Sequence, residues 1–108
     1  MDETLTLVVF VPEAHADAVR QAMGKAGAGR IGQYSYCSFS SKGTGRFQPG
    51  SAAQPASGRV GEINLVSEER IEVYCQASQV PAIVAAIKQV HPYEEVVIDL
   101  YPHYKNPA

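Results

Sequence analysis

The chain has 108 residues, 45% of them hydrophobic, with nine Lys and Arg against eleven Asp and Glu and a formal net charge of −2. That length suits one domain burying roughly 65% of the surface its unfolded chain would expose, a core that needs no disulfide or metal. The scattered basic residues give no footprint for nucleic acid, no apolar run approaches the ~20 residues of a membrane helix, and the opening MDETLTLVVFVPEAH has no basic stretch before its apolar segment; the expectation is a soluble cytoplasmic protein.

The segment TLTLVVFV (4–11) is β-branched and alternates at its start, which predicts a strand ended by Pro12. PEAHADAVRQAMGKAG (12–27) places Ala18, Val19, Ala22, Met23 and Ala26 at helical spacing, with acidic residues in its first turn; Gly27 and Gly29 stop this helix. GAGRIG (27–32) matches the dinucleotide-binding glycine pattern by letter. That pattern works by following a strand and opening a helix, and here the order is reversed, so a glycine-rich helix stop is the better reading.

QYSYCSFSS (33–41) alternates with period two and predicts a second strand, with GTGRFQP (43–49) as its hairpin return. SSKGTGRF (40–47) lacks the full Walker spacing; its amides with Lys42 and Arg46 could bind an anion, and a flexible hairpin tip is the plainer account. From Pro49 to Gly61 the composition turns to Gly, Ser, Ala, Pro and Gln, which predicts a long flexible loop over 49–61 within a single domain spanning 1–108. RIEVYCQA (70–77) alternates as a strand, and Ser78 is the expected N-cap of QVPAIVAAIKQV (79–90), whose Ile83, Val84, Ile87 and Val90 form an apolar stripe. VVIDLY (96–101) is the last predicted strand. Cys37 and Cys75 each fall in a predicted strand, which reads as buried thiols rather than a disulfide framework.

The order β-α-β, hairpin, β-α-β predicts an α+β ferredoxin-like sandwich, two helices on one face of an antiparallel sheet. The covered face would take Leu5, Leu7, Val9, Val11, Ile71, Val73, Cys75, Ala77, Val96, Ile98 and Leu100. The opposite face would take Val8, Phe10, Tyr34, Tyr36, Tyr74, Val97 and Tyr101, with Arg70, Glu72 and Asp99 among them. Such an aromatic surface is too large for solvent and predicts burial against copies of the chain; the alternative is that the long loop folds back over it.

HPYEE (91–95) concentrates the remaining chemistry. Pro92 forces His91 out of helical geometry, so the helix ends there, and an imidazole at a helix C-terminus interacts well with the last carbonyls. Helix termination with an intersubunit contact is the leading account. A metal or ligand site of His91 with Glu94 or Glu95 is the sharper one, and acid–base catalysis lacks a visible substrate pocket.

Together, LVVFVPEAHADAVRQAMGKAGAGRIGQYSYCSFSSKGTGRFQP, RIEVYC and HPYEEVVIDLYP resemble the domain inserted in the middle of YqfO-type proteins, the bacterial branch of the NIF-three-like family, over residues 5–103. The resemblance implies a CutA- and PII-like fold that trimerises, and CutA proteins carry HPYE at the same helix-to-strand junction. It also implies that the dinuclear metal ligands of the full-length family lie in flanking halves absent from this sequence, so hydrolase or cyclohydrolase activity is not expected to transfer. The PII likeness brings a fold and no nucleotide motif.

The expected function is thus a free-standing, non-enzymatic small-molecule-binding or regulatory module. It would act as a homo-oligomer, a trimer with a dimer as the other closed geometry, on an unknown regulatory partner. Ligand contacts are expected from Arg30, Lys42, Arg46, His91 and Glu94 in clefts between subunits. The alternative is a CutA-like protein that holds a divalent metal or copper through His91, Glu94 and Glu95; no other cofactor is expected.

Overall fold

β1 (Thr4–Pro12) runs into α1 (Glu13–Lys25) with Pro12 at the helix N-cap position and Glu13 in the first turn, where the helix dipole favours a negative charge. The structure, a computed structural model, describes residues 2–104. β2 (Phe39–Phe47) and β3 (Asn64–Gln76) follow, then a 3₁₀ turn (Ala77–Gln79), α2 (Val80–Val90) and β4 (Ile98–Pro102). The four strands form one sheet in the order β2-β3-β1-β4, and every neighbouring pair is antiparallel. This is the expected ferredoxin-like α+β arrangement.

Both helices lie on one face. Leu7, Val9 and Val11 of β1 and Ile71, Val73 and Cys75 of β3 form one buried cluster with Ala16, Val19 and Met23 of α1 and Ile83 and Ile87 of α2. A Leu, Ile or Val buried to this extent contributes about 1.5–3 kcal/mol each, so these residues supply most of the cohesion between the layers. Leu5, Val96 and Ile98 pack against the rim of the cluster. Leu100 shares its face but sits on the edge strand and is 45% exposed; Ala77 belongs to the 3₁₀ turn and faces solvent. Burial pushes the Cys75 thiol above its ordinary range, which disfavours the thiolate and marks a packing role. Arg20 couples α1 to the sheet: its guanidinium donates to Glu69 Oε1 at 2.6 Å, Ser40 Oγ at 3.1 Å and Asp17 Oδ1 at 2.6 Å.

Three local expectations are corrected. Residues 33–38 are not strand. Gly29 N–H donates to the Tyr74 carbonyl at 2.7 Å, Cys37 N–H donates to the Gly29 carbonyl at 2.8 Å, and Ile31 and Tyr34 exchange two backbone bonds. The segment therefore folds as a loop that satisfies the β3 edge just beyond the start of β2, and Cys37 lies in it rather than in a strand. Tyr36 there takes a left-handed φ of 58°, and its ring lies against Gly24 of α1, where a Cβ would collide with it.

Secondly, KGTGR is not a hairpin tip. β2 continues through it, with Lys42 opposite Glu69 and Arg46 opposite Leu65, and the chain reverses only between Phe47 and Asn64. β3 correspondingly begins at Asn64 rather than Arg70, because the polar stretch before Arg70 is paired along its length with β2. Thirdly, Ser78 does not cap α2. Gln76 and Gln79 form a reciprocal capping box, Gln76 N–H donating to Gln79 Oε1 at 2.8 Å, while the Ser78 amide and hydroxyl bond the Asp2 carboxylate.

Gly29 has φ +80°, and a Cβ there would run into the Cys37 carbonyl; Gly32 has φ +58° with open space around it. Gly29→Ala is therefore expected to cost about 2–3 kcal/mol and Gly32→Ala about 1 kcal/mol. Thermal unfolding of the two variants checks this ordering, and equal shifts would contradict it.

Candidate functional site

The helix-to-strand junction is shaped by a strand that stops short. β4 pairs with β1 only as far as Ile98 opposite Val9, and the next β1 carbonyl, that of Phe10, meets His91 Nε2 at 2.7 Å. The other ring nitrogen, Nδ1, accepts the Tyr93 backbone N–H at 3.1 Å. An acceptor on one side and a donor on the other fix the tautomer: Nε2 carries the proton and donates to the carbonyl. The ring is 7% exposed and packs against Tyr93 at a centroid distance of 4.9 Å.

Tyr93 in turn donates its hydroxyl to Glu68 Oε2 of β3 at 2.7 Å, and burial, reinforced by the Glu68 carboxylate, holds the phenol well above its ordinary range. Glu94 Oε1 accepts the Gln54 backbone N–H at 3.0 Å and so ties the 48–63 loop to the junction. The loop is also held by bonds of its own. Gln48 Nε2 donates to the Gly61 carbonyl at 3.0 Å, Gly61 N–H to the Pro49 carbonyl at 2.8 Å, and Asn64 brackets Arg59.

Between loop and junction lies a cleft of about 170 Å³, walled by Phe47, Pro49, Pro55 and Tyr93, with Glu94 and Glu95 at its rim. This cleft escaped the sequence reading, since nothing in the composition of 49–61 indicates that it packs against HPYEE. Of the five ligand residues expected, only Glu94 lines it. His91 sits beside it with its ring already engaged. Lys42 lies on the helix-facing side of β2, its Nζ 3.5 Å from a Glu13 carboxylate oxygen, and Arg46 is exposed further along the same strand. Arg30 lies by Thr4, Gln76 and Gln79, where β1 begins, at the opposite end of the sheet from His91. A single chain does not bring these five together.

Two residues of the metal alternative are engaged elsewhere in this geometry. His91 Nδ1 accepts from the Tyr93 amide and Nε2 bonds the Phe10 carbonyl, while one oxygen of Glu94 is held by the loop. Among the described residues no three His, Cys, Asp or Glu side chains gather as a metal-holding group.

The sheet face opposite the helices carries a second feature. The register places Tyr74 and Tyr101 on either side of Thr6, and Phe39 opposite Glu72, all on this face. Tyr74 and Tyr101 are about half exposed and Phe39 is 66% exposed, so the long loop does not cover them. Val8, in the middle, is already fully buried within the chain, beside the Arg70–Glu72 ion pair of 2.8 Å; Phe10 is half-buried and Val97 exposed. Tyr34 and Tyr36 are exposed but belong to the 31–38 loop, Tyr36 on the α1 side. Phe39 was missed because a strand drawn through Tyr34 and Tyr36 gives β2 the wrong parity. His103 was missed as well: its Nε2 lies 2.7 Å from Thr6 Oγ1 and its ring meets Tyr74 edge-on at 4.7 Å.

No family model matches the chain. Among curated relatives, a GTP cyclohydrolase 1 type 2 homolog of Halalkalibacterium halodurans is 52% identical over 96 residues, covering 89% of this chain and 26% of the relative. One from Bacillus subtilis is 47% identical over 107 residues, covering 99% and 29%. The chain thus spans about a quarter of the length of the curated relatives it matches. Among solved structures, a Bacillus cereus protein related to NIF3 is 45% identical, with a TM-score of 0.83 over 96% of this chain and 26% of its own. The divalent cation tolerance protein CutA from Archaeoglobus fulgidus superposes with a TM-score of 0.69 at 13% identity, covering 95% and 86%. A Bacillus subtilis GlnK–ATP complex gives 0.63 at 15% identity, covering 94% and 82%. These last two likenesses are of fold.

The junction yields two expected outcomes. His91→Ala removes two hydrogen bonds and orphans a buried carbonyl, and should destabilise by about 2–4 kcal/mol in chemical denaturation, against less than about 0.5 kcal/mol for Glu95→Gln. Tyr93 titrates higher in the folded chain than in the unfolded one, so its contribution is complete below the ordinary tyrosine range and is lost as pH rises through the higher folded value. Wild-type stability should accordingly fall more steeply in alkali than that of Tyr93→Phe, measured by unfolding at increasing pH.

Proposed function

Because the chain is homologous to the CutA/PII-like segment of NIF3-related proteins, we propose that it works as a non-enzymatic binding or regulatory module that assembles through its uncovered sheet face, as a homotrimer. The observation that carries this reading is the group of Tyr74, Tyr101 and Phe39, which no helix or strand among the described residues covers. Aromatic rings with a polar tip suit an interface that is apolar at its centre and wet at its edge.

The β2–β3 ribbon supports the same reading. β1 ends where Pro12 meets Glu68, and β2 and β3 continue beyond it as an isolated pair from Thr44 opposite Ser67 to Phe47 opposite Asn64. The molecule is 50 Å long and 24 × 23 Å across, and Leu65, Ile63 and Val60 of the ribbon and its loop are each about half exposed or more. A two-stranded ribbon is marginal by itself in water and gains from lying on a neighbour. A ligand site that uses Arg30, Lys42 and Arg46 together would have to be shared between chains, since one chain holds them apart.

The cyclohydrolase in the relatives' name belongs to proteins about four times as long. The nucleotide in the GlnK complex and the cation tolerance of CutA are likewise those proteins' own.

Native mass spectrometry should give three subunits for the wild type and one for Tyr74→Asp, whose carboxylate would be buried without a partner. A monomeric wild type, or a Tyr74→Asp variant of unchanged mass, would remove the sheet face as the interface.

A further inference from the structure

We propose that the cleft between the 48–63 loop and Tyr93–Glu95 binds a small organic ammonium ion, a ring-sized apolar body carrying one amine cation. The proposal rests on the small-molecule-binding part of the reading above and not on the oligomer, since one chain supplies every wall of the cleft.

Size, wall and charge converge on that class. A cavity of about 150 Å³ accommodates a benzene ring, and this cleft of about 170 Å³ admits a body of that scale rather than a nucleotide. Its walls are apolar: Phe47, Pro49, Ala53 and Pro55 face Tyr93. The Tyr93 hydroxyl is taken by Glu68, so the ring rather than the phenol oxygen is what Tyr93 offers a ligand. Aromatic rings beside carboxylates are the arrangement that attracts an ammonium group, through the ring quadrupole and through charge.

The rim has one sign. Glu94 and Glu95 line the cleft, no Lys, Arg or His does, and among the described residues neither glutamate has an ion-pair partner. The Gln54 amide holds one Glu94 oxygen, which orients the carboxylate and leaves its second oxygen to an incoming donor. An anion would meet two like charges here with no compensating cation, whereas an ammonium ion meets two acceptors and an aromatic wall.

The test is an amide NMR titration of the full chain with benzylammonium, benzyl alcohol and benzoate. Benzylammonium should shift the Ala53, Gln54, Ala56 and Glu94 signals and bind about tenfold more tightly than the neutral alcohol, with benzoate weaker still. The E94Q/E95Q double variant keeps an oxygen for the Gln54 amide while losing both charges, and should lose that tenfold preference. Equal binding of amine and alcohol, an unchanged preference in the double variant, or shifts outside the cleft would each overturn the proposal, as would no binding by any of the three. The same titration on Tyr74→Asp separates the two readings. Retained binding in a monomer supports the single-chain cleft, while binding lost from a folded monomer refutes it. A wild type that is monomeric and still binds the amine refutes only the oligomer.

Discussion

An antiparallel sheet has two faces, and this chain has helices for one of them. α1 and α2, thirteen and eleven residues long, close over Leu7, Val9, Ile71 and Val73, and that two-layer arrangement accounts for the cohesion of the fold. The other face is left to side chains. Near its centre Val8 is sealed off beside the Arg70–Glu72 ion pair, so the sheet is protected where a water-exposed valine would be most costly. Further along, the same face changes character to Tyr74, Tyr101, Phe39 and the ring of His103. The chain therefore closes part of its bare face itself and leaves an aromatic part open, and it is this division, rather than hydrophobicity alone, that supports the proposal of a contact surface there.

A second constraint follows from strand length. β4 reaches only to the level of Val9, and backbone carbonyls in a buried setting need donors. His91 supplies one for Phe10 and then accepts from Tyr93, and Tyr93 reaches Glu68 on β3. One short segment thereby joins the end of α2, β1 and β3 and sets the angle at which Glu94 meets the loop. In HPYEE the histidine thus serves as a strut, while Glu94 and Glu95, three and four residues onward, are exposed.

Much of this was legible in the sequence, for identifiable reasons. The alternation in LTLVVFV and RIEVYC, and the stripe Ile83, Val84, Ile87, are direct consequences of one buried sheet face and one buried helix side, so element order and core followed from spacing. The failures share a cause as well. QYSYC alternates as a strand does, yet Gly29 and Gly32 take left-handed backbone and Gly29 closes a loop on the β3 edge, and period alone does not register a tertiary hydrogen bond. The glycines of KGTGR read as a turn because propensity does not see Glu68: Gly45 lies where a side chain would strike that carboxylate, so its smallness serves packing within a strand. Ser78 looked like a cap because serine is a good one, and the terminus of β1 supplied Asp2 as a competing partner. The cleft was invisible because its two walls are forty residues apart and are joined by a backbone-to-carboxylate bond that no local pattern announces.

The placement of the 48–63 loop has an evolutionary side. Its two ends are already brought together by the last rung of the ladder, Phe47 opposite Asn64, so the entropy of closing it is largely met by the sheet. Doubling the length of such a loop costs only about 0.6 kcal/mol. Residues inserted or exchanged between Pro49 and Gly61 leave the helices, the core and the aromatic face untouched while reshaping one wall of the cleft. A lineage can therefore vary what the cleft accepts by drift in a single surface loop, with the fold serving as an unchanged mount for changing specificity.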